Sequence, residues 1–312
     1  MRNIIEIKNL TKKFGNFTAV NNINLNIREG EIFGFLGPNG AGKTTTINML
    51  TTLMKPTSGT AVIDGNDIVI HGSRIRSIIG VVPQSFSLFP ELTAQENLSY
   101  IGRLYGLTPA QINERSEYLL NTVSLYEHKD RIAGNYSGGM KQRLSLTASL
   151  MSNPRILFMD EPTTGLDPQS RIAMRELTKE LNRDGMTIIY TTHDMEEAEK
   201  ICDTITIMDN GRIAASGTSE ELKRMIADHH TIEVELEVIS KEIIAELKKL
   251  PYVISAEHVG ELIELKVKGR EGVFYKLSDF LHRKNEKVVE IKFKEPTLED
   301  VFIHLTKKNL RD

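Results

Sequence analysis

Gly37-Pro38-Asn39-Gly40-Ala41-Gly42-Lys43-Thr44-Thr45 is the stretch whose reading decides the fold. It has the form G-x-x-x-x-G-K-[ST], a phosphate-binding loop. Its glycines let the backbone curl without Cβ clashes, so that successive N–H groups turn inward toward phosphate oxygens. Lys43 adds a full positive charge near the β- and γ-phosphates. Thr44 offers a hydroxyl to Mg²⁺, and Thr45 follows it in the helix. Residues 31–36, Glu-Ile-Phe-Gly-Phe-Leu, read as a buried strand entering the loop, and residues 45–53 as a helix leaving it. The positive N-terminal end of that helix favours the same anion. Strand, loop and helix in this order imply an α/β fold built to hold a nucleotide.

Length and composition frame the motif. A chain of 312 residues is long enough for two domains. With 40% hydrophobic and 26% charged residues, it has the balance of an ordinary globular protein. A net charge of -3 argues against nucleic acid as a partner, since such binders usually carry a basic excess. The single cysteine, Cys202, excludes an internal disulfide, fits a reducing compartment and reads as a small buried hydrophobe. The N-terminus mixes charged and apolar residues from the start, unlike a signal peptide. No uncharged apolar run approaches the length of a membrane span, so no direct span is expected. Any service to a membrane is expected to run through a partner.

Along the chain, residues 3–10 and 19–27 alternate as amphipathic strands around a turn at residues 11–15, and are expected beside the loop strand. Phe14 stands among polar neighbours and can offer a platform to a purine ring, with Phe17 a competing candidate. Residues 60–63 and 78–82 read as strands. Gln84, at the end of the second, is placed to ligate Mg²⁺ and sense the γ-phosphate. From about 85 to 150 the pattern turns helical. Thr93 with Glu96 forms a capping-box signature, and Thr108-Pro109-Ala110-Gln111 repeats it. Just before this block, Phe86, Leu88 and Phe89 either pack inward or form a docking patch. Ser137-Gly138-Gly139 opens a helix over residues 141–151, stripped for close approach to an anion. Residues 156–159 are a buried strand ending in Asp160-Glu161. The aspartate can hold Mg²⁺ through water, and the glutamate can polarise an attacking water. Asp167-Pro168 starts the next helix. His193 ends the strand over 186–191, within reach of a γ-phosphate, and Asp194 caps the helix that follows.

In this order the motifs resemble the ATP-binding cassette of ABC transporters over residues 2 to about 226. Gly37 to Thr45 matches the Walker A loop and Gln84 the Q-loop. Tyr136-Ser137-Gly138-Gly139-Met140 matches the signature, residues 156–161 the Walker B strand, Gly165 to Asp167 the D-loop, and His193 the switch histidine. Phe14 sits where the family often has a tyrosine that stacks on adenine. Tyr136 and Met140 depart from the family's Leu-Ser-Gly-Gly-Gln, while Ser137, Gly138 and Gly139 keep its core. The resemblance implies a mixed β core with an inserted helical subdomain, with ATP and Mg²⁺ as ligands. It implies an ATPase that pairs head to tail with a second cassette so that each Walker A loop faces the partner's signature and D-loop; a homodimer is the expectation, with a different partner cassette left open. Glu161 would be the general base and His193 would position γ-phosphate and water. Thr44, Gln84 and Asp160 would serve the metal. A separate permease subunit would be the membrane partner, holding the protein at the inner, cytoplasmic face of the membrane.

The remaining chain reads as strand, helix, strand, strand, helix, strand over residues 231–293, a ferredoxin-like α+β order, followed by a last helix. Residues 227–230, Ala-Asp-His-His, read as a linker, since no further metal ligands are spaced near the two histidines. The expected domains are thus a cassette over 1–228 and an accessory domain over 229–312. This ending resembles the extension of cassettes that drive drug, polysaccharide or lipid exporters, and cargo of that kind is the expectation. A cassette acting in nucleic-acid repair, translation or cofactor assembly is the competing class. Its members commonly carry two cassettes in one chain or a long coiled coil, and this chain has neither. A regulator that does not hydrolyse ATP is disfavoured by the presence of Glu161 and His193.

Overall fold

The strand entering the phosphate loop, Ile32–Leu36, is buried along its whole length. It lies inside a six-stranded sheet, hydrogen-bonded in parallel to Thr187–Thr192 on one side and Thr204–Asp209 on the other. Ile156–Asp160 and Ile79–Val82 extend the parallel run, and Arg212–Gly217 closes the far edge antiparallel. Strands covered on both faces favour apolar residues at most positions, which is why residues 32–36 and 156–159 read as continuous runs, while buried threonines interrupt the strands Thr187–Thr192 and Thr204–Asp209. The computed structural model from which this is drawn describes residues 2–226, 229–269 and 272–309.

Side chains alternate between two cores, as the period of a strand requires. Phe33, Phe35, Phe158 and Ile189 point to one, shared with Ile5, Ile7 and the helix Lys43–Leu50. Leu157, Met159, Ile188 and Tyr190 point to the other, shared with Leu98, Leu120, Leu144 and Leu150. The first core is roofed by a second sheet of four antiparallel strands: Phe17–Arg28, Asn3–Phe14, Ser58–Ile63 and Asn66–Asp67. Here the sequence expectation is corrected. The first two strands do not lie beside the loop strand; they stack over it in a separate sheet. They also run on through the expected turn, with register shifts between Ile7 and Lys13 and left-handed backbone at Asn9 and Asn22. These irregularities break the alternation that strand reading depends on.

The helical block holds Ala94–Leu104, Pro109–Thr122 and Gly138–Leu150. Both capping boxes form as read, Thr93 with Glu96 and Thr108 with Gln111. The third helix begins at Gly138, not at residue 141, because Ser137 is its cap.

By its contacts the chain divides into Met1–Thr218 and Ser219–Asp312, earlier than the boundary at 228 expected from sequence. The short helix Ser219–Arg224 goes with the second unit because it packs on Leu298–Asn309 and buries Leu222. Residues 227 and 228 of the expected linker lie outside the described residues. His229 and His230 are no linker: they begin the strand His229–Leu236, and the His230 ring stands edge-on to Phe293 with centroids 6.3 Å apart. The second unit has the expected ferredoxin-like order. Its four antiparallel strands pair as Val253–Val259, Leu262–Lys268, His229–Leu236 and Val288–Lys294, with Ile232, Val234, Ile263, Leu265, Leu277 and Leu281 in its core.

Candidate nucleotide and catalytic site

The phosphate loop spans the gap between Leu36 and the helix Lys43–Leu50. Gly42 caps this helix at φ 103, and a Cβ there would fall 2.6 Å from the Ala19 carbonyl oxygen, so only glycine fits. A Cβ at Gly37 would overlap the carbonyl of Met208 at the end of the neighbouring strand. Lys43 is 4% exposed. Its Nζ donates to the carbonyls of Gly37 at 2.7 Å and Pro38 at 3.2 Å, and lies 3.3 Å from a Glu161 carboxylate oxygen. Asn39 to Thr45, together with Phe14, Phe17, Ala19, Gln84 and Glu161, line an open cavity of about 420 Å³.

Asp160 and Glu161 follow directly from the buried strand Ile156–Asp160. Thr44 Oγ1 donates to Asp160 Oδ1 at 3.2 Å, and Thr191 Oγ1 donates to the same oxygen at 2.6 Å. Glu161 turns into the left-handed region at φ 48, a conformation costing a non-glycine residue roughly 1–2 kcal/mol. Its N–H donates to Thr191 Oγ1 at 2.9 Å, which helps hold that turn. The Glu161 side chain is 7% exposed. Its second oxygen meets His193 Nδ1 at 3.1 Å, Thr164 Oγ1 at 3.2 Å and Gln84 Nε2 at 3.4 Å. Desolvated charge is costly unless paired, and here the Lys43 ammonium supplies the pairing. His193 remains half-exposed.

The donor set fits a hard divalent cation. Thr44 and Asp160 offer neighbouring oxygens beside a phosphate cradle, and Gln84 adds an amide. Among the described residues no cluster of three acidic, histidine or cysteine side chains forms an all-protein cage. One or two protein oxygens completed by substrate phosphates is how Mg²⁺ is usually held.

Of the sequence candidates, Gly37, Pro38, Asp160 and His193 stand behind the residues that line this cavity, and Ser137, Gly138, Gly139 and Asp167 are not among its lining either. Ser137 caps the helix Gly138–Leu150, accepting from Met140 N at 3.2 Å. The two glycines after it differ. A Cβ at Gly139 would overlap Ser170 Oγ of the helix Pro168–Arg183, so internal packing demands glycine there. A Cβ at Gly138 would meet only Leu166, at an ordinary 3.7 Å. Tyr136 is buried, donates to the His128 carbonyl at 2.7 Å and lies under the Arg131 guanidinium. Asp167 caps the helix Pro168–Arg183, and its bonds from Ser170 hold its carboxyl below the usual range. Phe14 and Phe17 are both exposed at the cavity wall, so both stay in play as the aromatic platform.

The role of Thr191 and the residues lining the groove near Gln84 were not read from sequence. Thr191 ties Asp160 to the Glu161 backbone, yet in sequence it is one of four hydroxyls in the strand Thr187–Thr192. An apolar groove of about 660 Å³ also opens near Gln84, lined by Leu53, Val81, Pro83, Ile101, Leu104 and Tyr105. Of the expected patch, Phe86 and Phe89 are 43% exposed, but Leu88 packs inward on the helical core.

Residues 20–164 match the family model described as ABC transporter, and residues 217–306 match that of the ATP-binding protein DrrA1-3-like, C-terminal domain. The chain is 38% identical to the linearmycin resistance ATP-binding protein LnrL of Bacillus subtilis, covering 99% of this chain and 100% of that one. It is 37% identical to the Nod factor export ATP-binding protein I of Ralstonia nicotianae, covering 99% and 95%. A dimeric ATP-binding cassette in a post-hydrolysis state bound to ADP and Pi superposes with a TM-score of 0.63 at 32% identity, over 69% of this chain and 98% of that one. By these likenesses the chain belongs to the ATP-binding subunits of ABC transporters, as an ATPase of the drug-resistance and export branch with a DrrA-like C-terminal domain.

Proposed function

We propose that two copies of this chain close head to tail around ATP and drive an exporter through a separate membrane subunit. The observation that carries the reading is the Glu161 carboxylate, 7% exposed and held between Lys43 Nζ at 3.3 Å and His193 Nδ1 at 3.1 Å. Held there beside the phosphate loop, it is a general base poised to take a proton from water as that water attacks the γ-phosphorus. Such a base contributes typically ~10²–10⁴-fold to rate. Lys43 exchanges its contacts with the loop carbonyls and Glu161 for phosphate oxygens, which releases Glu161 for this work. His193 moves from Glu161 to orient the γ-phosphate.

Mg²⁺, held by Thr44, Gln84 and Asp160, would neutralise charge developing on the phosphates. Ser137 and the bare Gly138 would meet the partner's γ-phosphate from the other side. The absence of any internal crowding at Gly138 supports that role. The γ-phosphate bridges two surfaces, so its loss opens them, a ligand-driven shift between two states.

The groove around Leu53, Ile101 and Leu104 is the seat we assign to a helix of the permease, beside Gln84, which senses nucleotide. Among the described residues no helix is long and apolar enough to cross a membrane. The chain would thus meet the membrane's cytoplasmic face through that permease. Two relatives, named for resistance to linearmycin and for export of Nod factor, support export of a drug-like, lipid or polysaccharide cargo. The test is Glu161→Gln: turnover should fall at least ~100-fold while ATP binding persists. A mild-detergent pull-down of this variant with ATP and Mg²⁺ should bring down a polytopic membrane protein. Unchanged turnover would remove the assigned base, and recovery with ribosomes or DNA instead would remove the exporter reading.

A further inference from the structure

Behind the loops that carry Glu161 and His193 lies a second carboxylate, Glu197, which the chemistry above does not use. It is 5% exposed. One carboxylate oxygen accepts from Thr163 Oγ1 at 2.6 Å and the other from Thr192 Oγ1 at 2.9 Å, and both threonines are themselves buried. Thr163 belongs to the turn that leaves Glu161, and Thr192 immediately precedes His193.

The local sequence points elsewhere. Asp194-x-x-Glu197 at a helix start has the form of a capping box, in which the glutamate reaches back to the cap's own N–H and stays at the surface. Only half the box forms. Asp194 accepts from Glu197 N at 3.0 Å, but the Asp194 N–H donates to Thr192 Oγ1 at 3.0 Å. Thr192 has taken the glutamate's place, and the freed carboxylate turns into the interior. There it meets neutral hydroxyls, and no ion pair reaches it among the described residues. Burial, with the negative charge of Glu197, pushes the neighbouring Tyr190 phenol well above its ordinary range. A buried carboxylate in such company is expensive, and an apolar residue would fill the space at lower cost. What the carboxylate provides is one rigid two-headed acceptor shared by two loops.

A second tie runs in parallel at the surface. Arg171 Nε donates to the Leu166 carbonyl at 3.2 Å, and its guanidinium lies 3.8 Å from Asp194 Oδ2. The turn over residues 163–167 is therefore joined twice to the segment bearing His193.

We infer that Glu197 is a positioning residue that couples the turn over residues 163–167 to the switch histidine. A displacement of that turn when a second copy presses on Asp167 is passed through Thr163, Glu197 and Thr192 to His193, and so to Glu161. The inference rests on the roles proposed for Glu161 and His193.

The test is a double-mutant cycle between the two ends of the link. Thr163→Val, Thr192→Val and the double variant are compared for ATP affinity by equilibrium binding and for kcat by single turnover. Each single valine should lower kcat about tenfold and leave ATP affinity within ~2-fold, and the double should be no slower than the slower single, since either break severs the path through Glu197 while the Arg171 tie stays intact in all three. Thr163→Ser and Thr192→Ser should restore the rate. Glu197→Gln, closest in shape, should match the singles. Thermal melts of each variant separate misfolding from uncoupling, and the serine and glutamine variants decide the matter if a valine does not fold. Losses that multiply in the double variant, losses in affinity equal to those in rate, or folded variants with wild-type kcat would each overturn the inference. Glu161→Gln, run alongside, keeps the two readings apart. If it turns over normally the base assignment fails, whereas a dead Glu161→Gln with independent threonines sinks only the link.

Discussion

Gly138 and Gly139 are adjacent and identical, yet the structure gives them different reasons to be glycine. Alanine at 139 must displace Ser170, and overpacking of this sort costs about 1–3 kcal/mol. Alanine at 138 meets only ordinary contact, and within a helix it should be neutral or stabilising by up to ~1 kcal/mol. Chemical denaturation should therefore show Gly139→Ala weakened and Gly138→Ala intact, while ATP turnover falls in Gly138→Ala. Full turnover in a stable Gly138→Ala protein would mean that nothing from outside approaches this residue. Cys202 gives a second test. Its Sγ occupies the space a Cβ at Gly34 would need, and burial pushes its thiol well above the ordinary value of 9.0. Below pH 9 the thiol is neutral in both folded and unfolded chains, and its contribution to stability is fully present. Above pH 9 only the unfolded chain ionises it, so stability should fall with pH by up to about 1.4 kcal/mol per unit. Cys202→Ala should remove that part of the slope in denaturant titrations, and the native thiol should resist alkylation at pH 8. At this scale the sequence was most legible where chemistry dictates residue type, as in Lys43, Asp160 and Glu161. It was silent on Thr191 and Glu197, because their roles come from burial, and a polar residue gives no sign in sequence of which way it will turn.

Among the elements, helices were easier to read than sheets. Capping boxes are local, so Thr93 with Glu96 and Thr108 with Gln111 could be placed from four residues each. Strand partners are not local. The strands Asn3–Phe14 and Phe17–Arg28 were recognisable as a hairpin, but nothing in their alternation tells a strand whether it extends a sheet or roofs it. The residues lining the groove near Gln84 were not legible for a related reason: Leu53, Val81 and Leu104 are far apart in the chain and converge only in the fold. That groove supports its own prediction. Leu104 is 66% exposed, so Leu104→Asp should leave the melting temperature nearly unchanged. It should sharply reduce co-purification of the membrane subunit with the tagged protein. Undiminished co-purification would move the docking site elsewhere, with Phe86 and Phe89 the next candidates.

At the scale of the whole molecule, one chain would, in the proposed reading, supply two incomplete halves of a site. The loop, Gln84 and Glu161 line one cavity, and Asp160 and His193 are bonded to its Thr44 and Glu161. Ser137 and Gly138 are not among the residues lining it, and the Gly138 face is open apart from Leu166. A second copy, related by two-fold symmetry, would complete both sites at once. The most direct measurement is the molar mass of the Glu161→Gln protein by light scattering during gel filtration, with ATP and Mg²⁺, with ADP, and without nucleotide. The account predicts a doubling of mass with ATP, a single chain's mass with ADP, and loss of the doubling when Gly138→Ala is added. A single chain's mass in saturating ATP, with binding confirmed, would contradict it.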